Sequence, residues 1–245
     1  MTRERGAACP PGSVDAAGGD RGLLPVALLV VAKAPIAGFA KTRLTPPLSP
    51  REAARVAAAS LLDTLDAVRA TPVRHKVVAW TGNLADAERR DEIASALADF
   101  TVVPQRGAGF AVRLANAHAD CFAQSDAVLQ IGMDTPQVDG ALLGACARRL
   151  LETGDAVLGP AADGGWWALG LTDPRPARTL ADVPMSTRRT GEMTRDALRR
   201  CGYHVHALPV LSDVDTYRDA VAVAGQSGGR FAAALRGCAA VEVLT

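Results

Sequence analysis

Val26–Ala32 reads VALLVVA, and Lys33–Leu44 after it reads KAPIAGFAKTRL. Consecutive aliphatic residues without polar alternation describe a strand buried on both faces, as in the interior of a parallel sheet. The apolar stretch Leu23–Ala32 is too short for a transmembrane helix, which needs about 20 such residues. An arginine-bearing N-terminus and Ala32-Lys33-Ala34 imitate a signal peptide and its cleavage site, but lysine would then sit inside the cleavage motif. The strand reading is preferred. Before it, residues 1–24 are rich in Gly, Ala, Pro and charge and carry no helical or strand period, so they read as a disordered leader. Residues 25–245 read as one domain.

The pattern continues downstream. Ser49-Pro50-Arg51-Glu52 supplies an N-cap, a proline at the first helical position and a capping glutamate. The helix behind it carries Ala54, Ala57, Ala58, Leu61, Leu65 and Val68 on one face. Strands are expected at 76–80, 100–103, 127–131, 156–158, 166–171 and 203–208. Helices are expected at 84–98, 111–122, after Asp139 to Leu151, after Thr190 to Arg200, and after Thr216. Alternating strands and helices imply an α/β fold with a mostly parallel central sheet covered on both faces. In such sheets the ligand sits beyond the carboxyl ends of the strands, where strand order reverses. The loops after residues 32, 103, 131, 158 and 208 should therefore face one site.

Composition narrows the partners. The 245 residues are 49% hydrophobic and 22% charged, the profile of a globular chain. With 27 basic and 26 acidic residues the net charge is +1, so no bulk field points to nucleic acid or an anionic membrane. The five cysteines, at 9, 121, 146, 201 and 238, form no C-x-x-C pair, which disfavours a disulfide framework or zinc site and suits a reducing, cytoplasmic setting. His75, His118, His204 and His206 lack metal-ligand spacing.

Five loops carry the chemistry. In the first, Lys33 and Lys41 are two of only three lysines, and Lys41 and Arg43 suit phosphate oxygens, with Pro35 and Gly38 turning the chain. It is not a Walker A loop, because no G-K-[ST] is present. Gln105-Arg106-Gly107-Ala108-Gly109, followed by Arg113, gives a backbone that can approach a base or ribose. Asp134, in Ile131-Gly-Met-Asp-Thr-Pro136, is a candidate Mg²⁺ ligand, since that ion takes one or two carboxylates plus phosphates and water. Asp163-Gly164-Gly165-Trp166-Trp167 offers an acid for a sugar hydroxyl and two aromatics on opposite strand faces, one for the core and one for a pocket. Ser212-Asp213-Val214-Asp215-Thr216 contains a capping box, Thr216 with Asp219, that leaves Asp215 free to face the site; which of Asp213 and Asp215 meets a metal stays open.

These segments, AKAPIAGFAKTRL, QRGAGF, IGMDTP, GPAADGGWWALGL and SDVDT, in that order between about Val26 and Ala224, resemble the DUF2064 group of GT-A-type transferases. That group is related to molybdenum-cofactor guanylyltransferase and 2-phospholactate guanylyltransferase. Tryptophans stand here where the group usually has tyrosines after D-G-G, and no second aspartate completes a D-x-D around Asp134. The resemblance implies a Rossmann-like GT-A (nucleotide-diphospho-sugar transferase) fold and dependence on Mg²⁺ or Mn²⁺ held by Asp134 and Asp215. Nucleotide binding would fall to Ala32, Lys33, Gly38, Lys41, Arg43, Gln105, Gly107, Gly109 and Arg113, and the small-molecule acceptor to Asp163, Gly164, Gly165, Trp166 and Trp167. Lys41 and Asp163 are the expected catalytic residues. The expected activity is glycosyl transfer from a nucleotide sugar. The alternatives are nucleotidyl transfer from an NTP to a phosphorylated acceptor, and a non-catalytic nucleotide-binding module.

Overall fold

A computed structural model describes residues 22–242. Seven strands, β1 (Leu24–Lys33), β2 (Val73–Thr81), β3 (Thr101–Pro104), β4 (Val128–Gly132), β5 (Ala156–Pro160), β6 (Trp166–Leu171) and β7 (Val205–Ala207), form one sheet in the order β3-β2-β1-β4-β6-β5-β7. All neighbours run parallel except β6, which is antiparallel to both β4 and β5. The short β5–β6 loop makes this reversal possible, because antiparallel neighbours need only a tight turn and parallel ones need a crossover.

The β1 pattern explains the layers. Val26, Leu28, Val30 and Ala32 pack toward α1 (Pro50–Ala70) and α4 (Gly140–Thr153). Ala27, Leu29 and Val31 pack toward α3 (Phe110–Cys121) on the other face. Successive side chains alternate, so a strand covered on both sides must be apolar throughout. The expected capping box of α1 is present: Ser49 Oγ accepts from Glu52 N, and Ser49 N donates to the Glu52 carboxylate at 2.8 Å.

Several expectations need correction. The expected leader lies outside the described residues as far as Arg21, but Leu24, counted with it, begins β1 and donates its N–H to Pro72 O at 2.8 Å. The expected helix 84–98 is interrupted: a 3₁₀ turn at Leu84–Asp86 ends before α2 (Arg90–Leu97), with Arg89 left-handed at φ 57°. Glu88 N donates to Pro35 O, and the Glu88 carboxylate is held by Arg51 and Arg55 of α1. These tertiary bonds outweigh one turn of helix. The strand expected over 203–208 shrinks to β7 at Val205–Ala207, on the sheet edge, with His204 just before it. Beyond α5 (Thr190–Arg200), the single helix expected after Thr216 becomes α6 (Tyr217–Gln226) and α7 (Gly229–Glu242). Phe231, Leu235 and Cys238 of α7 are buried against Val56 of α1 and Val223 of α6.

The chain runs outward from β1 to β2 and β3, then returns to the other side of β1 with β4. The order of strands therefore reverses between β1 and β4, and their carboxyl ends open a crevice there.

Candidate functional site

The loop after β1 is pinned at both sides of its second lysine. Ala40, 1% exposed, sits in the main core, and Leu44, fully buried, sits against α6 and α7. Between these anchors Lys41 takes a left-handed backbone at φ 51°, uncommon for a residue with a side chain. Its ammonium is carried inward, its side chain only 8% exposed, to 2.6 Å from Asp134 Oδ2 and 3.7 Å from Asp215 Oδ1. It also donates to Val214 O. Arg43 Nη1 reaches Asp215 Oδ2 at 3.1 Å. Lys33 Nζ donates to Phe39 O at 2.8 Å and lies 5.3 Å from the Phe39 ring centre, a cation–π contact. Burial, and then repulsion from Lys41, lower the Lys33 pKa from its ordinary value.

The acids come from two loops tied together by backbone. Val214 N donates to Asp134 O at 2.9 Å, and Gln137 Nε2 donates to Ser212 O at 2.7 Å. Val214 itself is buried at 1% exposure, so Asp213 and Asp215 are held as neighbours on either side of a fixed point. The capping box of α6 forms as expected, Thr216 N donating to Asp219 Oδ2 at 2.8 Å, and Asp215 is left to the site.

Two adjoining cavities open here, sharing Val31, Phe110, Asp134, Ser186 and Asp215. The larger, about 450 Å³, is lined by Ala32, Lys33, Lys41, Arg43, Gln105 and Arg113. The smaller, about 200 Å³, has Asp163, Gly165, Trp166, Trp167 and Asp213 in its wall. Most residues singled out in the sequence thus converge. Gly38, Gly107 and Gly109 stand outside both linings and shape the loops through positive φ. Gln105 lines the larger cavity while its amide donates to Ala32 O at 2.8 Å and Ala79 O at 3.0 Å, joining the ends of β1 and β2. Arg106 is turned away, paired with Asp120 at 2.6 Å.

In the β5–β6 turn, Asp163 Oδ1 accepts from Gly165 N at 2.8 Å, which leaves Oδ2 for another donor. Gly164 stands outside the cavity, for a packing reason: its φ is +92°, and a Cβ there would lie 2.0 Å from Arg188 O. Gly191 N donates to Gly164 O at 2.8 Å, so the turn and the start of α5 meet backbone to backbone. The two tryptophans take opposite faces of β6 as expected, Trp167 in the main core and Trp166 against the clusters on the other side. Trp167 is 1% exposed and donates to Pro209 O, Trp166 is half-buried, and both border the smaller cavity because it lies at the head of β6.

Sequence reasoning missed Gln130, Phe110 and the 185–190 segment, of which Met185, Ser186, Thr187 and Thr190 line the smaller cavity. For Gln130 a signal existed: it is the one polar residue of the strand VLQIG. Phe110 and the 185–190 segment reach the site only through tertiary packing.

Asp213 has its pKa pushed up to about 8, first by burial, then by repulsion from Asp134, with Asp163 and Asp215 adding to it against the opposing charge of Lys41. The folded chain therefore keeps a proton that the unfolded chain releases near 3.8. This contribution to stability is complete below about pH 4 and is lost as pH rises through about 8. In metal-free buffer, Asp213→Asn should melt increasingly above the unsubstituted chain as pH rises across that window. A Tm difference independent of pH would show that Asp213 is not protonated in the folded state.

A ready-made cage of three or more His, Cys, Asp or Glu groups is absent among the described residues. The pair that flanks Lys41, Asp134 and Asp215, nonetheless suits a hard divalent cation that shares its coordination sphere with phosphate and water, and the ammonium between them marks a point of cation preference. Cys121, Cys146 and Cys238 are buried and Cys201 exposed, and none of the four is in a disulfide. No helix among the described residues is long and apolar enough to cross a membrane.

Comparison with known proteins bears on the family and the fold. The model of the DUF2064 family, described as an uncharacterized protein conserved in bacteria, matches residues 64–187. No curated protein matches the sequence significantly. Among solved structures, a protein of Desulfovibrio desulfuricans G20, provisionally assigned as a nucleotide-diphospho-sugar transferase, superposes with a TM-score of 0.76 at 23% identity, over 89% of this chain and 96% of that one. A cytidylyltransferase of Leptospira borgpetersenii gives 0.54 at 12% identity, over 87% and 93%. CMP:2-keto-3-deoxy-manno-octonic acid synthetase, complexed with CTP, gives 0.52 at 8%, over 81% and 96%. At these identities the likeness establishes the nucleotide-diphospho-sugar transferase fold.

Proposed function

This chain belongs to the DUF2064 family, and we propose that it is a metal-dependent transferase that moves a glycosyl group from a nucleotide sugar to a small-molecule acceptor. The observation that carries this reading is the division of charge between the two cavities. The larger is walled by Lys33, Lys41, Arg43 and Arg113 beside the shared Asp134 and Asp215. The smaller has Asp134, Asp163, Asp213 and Asp215 in its wall and no basic residue. A diphosphate suits the first. A phosphorylated acceptor, which nucleotidyl transfer would require, would meet Asp163 beside the shared Asp134 and Asp215 in the second, with no basic side chain in the lining, and like charges held in one site repel. The solved relatives named above, which include a provisional nucleotide-sugar transferase and a CTP complex, support a nucleotide as ligand.

When bound, a divalent ion at Asp134 and Asp215 would supply charge neutralisation at the diphosphate. The chain's own residues do the rest. Lys41, Lys33 and Arg43 hold the phosphate oxygens and stabilise the charge that develops on the leaving group. Asp163 Oδ2 accepts a hydrogen bond from the acceptor hydroxyl. As that hydroxyl oxygen bonds to the anomeric carbon, the carbon–oxygen bond to phosphate breaks, its electron pair leaves on the diphosphate, and the proton passes to Asp163. The buried strand ends and the tryptophan walls limit access of water.

A panel of NTPs, UDP-sugars and GDP-sugars with Mg²⁺ or Mn²⁺ tests this by thermal shift, since a ligand bound only by the native state raises its melting point. Sugar nucleotides should stabilise more than NTPs, and Asp163→Ala should abolish transfer to the acceptor while sparing binding of the plain diphosphate. Tightest binding of an NTP, with pyrophosphate released on adding phosphorylated acceptors, would replace this reading with nucleotidyl transfer.

A further inference from the structure

Two hydrogen-bond donors in the wall of the smaller cavity have no partner. Gln130, 1% exposed on β4, and Trp166, at the head of β6, both line it. Gln130 Nε2 and Trp166 Nε1 are buried and make no hydrogen bond. Buried donors are nearly always satisfied, so two orphans in one cavity wall call for a missing acceptor.

The Gln130 amide oxygen faces His118. Its Oε1 lies 3.2 Å from His118 Nδ1, and an amide oxygen can only accept, so Nδ1 carries the proton. His118 is fully buried beside Phe122, with ring centres 5.7 Å apart, and burial pushes its pKa down to about 4. The ring therefore stays neutral, and in this orientation the amide nitrogen has no hydrogen-bond partner among the described residues. Both orphan donors are uncharged. Around them stand Val31, Leu114, Phe110 and Met185, and the acids lie in the same wall.

We propose that this cavity binds the acceptor by uncharged oxygens, the hydroxyl or ether oxygens of a polyol or glycoside, which take hydrogen bonds from Gln130 Nε2 and Trp166 Nε1. Carboxylate or phosphate groups are disfavoured there, because Asp163 stands in the same wall and no lysine or arginine lines it. The assignment of this ligand as the acceptor rests on the transferase reading. The preference for neutral oxygen rests on the cavity alone.

The test uses the full chain and two matched pairs of probes: methyl α-glucoside with its 6-phosphate, and glycerol with glycerol 3-phosphate. Binding is followed by ligand-observed NMR titration, with and without UDP and Mn²⁺. At least one neutral probe should bind saturably, and its phosphorylated partner at least tenfold more weakly. Trp166→Phe, which keeps a ring and removes the N–H, should weaken the neutral probe about tenfold, with a fall in Tm no larger than the lost packing of the indole explains. Equal or better binding of the phosphorylated probe, no binding of either class, or unchanged binding by Trp166→Phe would overturn the proposal. Failure of UDP to bind while a neutral probe binds would sink the transferase reading and leave this one standing.

Discussion

Lys41→Met should weaken binding of a nucleoside diphosphate by roughly a hundredfold, the loss of two charge-assisted hydrogen bonds at about 1.5 kcal/mol each. The same substitution should strengthen binding of Mn²⁺ to the nucleotide-free protein. In the structure the Lys41 ammonium stands 2.6 Å from Asp134 and 3.7 Å from Asp215, so any divalent ion that uses these carboxylates must compete with it. Methionine keeps the length of the chain and removes the charge. Arg43, 3.1 Å from Asp215, remains as partial compensation and should keep the variant folded. Calorimetric titration of Mn²⁺, and then of UDP, reads both effects. Weaker Mn²⁺ binding in the variant would remove the carboxylate pair from the metal site.

Gly164→Ala should lower stability by about 3 kcal/mol or more, the combined cost of forcing a side chain into a left-handed backbone and of separating two packed backbones. A methyl group there would meet Arg188 O at 2.0 Å and Arg188 C at 2.6 Å, and backbone cannot move aside as a side-chain end can. At this chain length the loss corresponds to a fall in Tm of roughly 10 °C. Gly225→Ala, within α6 and with nothing within 4 Å of the added methyl, is the control and should be neutral or slightly stabilising. A Gly164→Ala protein that melts with the parent would mean that the turn can release the start of α5 at no cost. Because that start carries Thr190 and follows Ser186 and Thr187, all in the smaller cavity, the variant should also bind acceptor poorly.

Much of this molecule is legible from local pattern. The run VALLVVA is a central strand because both its faces are covered, and Ser49 with Glu52 starts α1 through bonds between residues three apart. The site loops are legible for a related reason. Parallel strands put their carboxyl ends on one edge, so the segments holding Lys41, Asp134, Asp163 and Asp215 meet once the strand–helix alternation is recognised.

What the tertiary structure decided are the features whose partners lie far away in sequence. Helix α7 has no local cap: Asp63 of α1 accepts from Phe231 N at 2.8 Å and from Arg230 N at 3.1 Å, across more than 160 residues. The break at Arg89 depends on Pro35 O and on two arginines of α1. Gly164 is expected among the acceptor-binding residues, yet it answers to the backbone at Arg188. Lys41 reads as a free phosphate-binding cation, and only the folded chain shows it lodged among carboxylates. Local sequence fixes periodicity and caps because those bonds close within a few residues; charge balance and orphaned donors are sums over neighbours that only folding brings together.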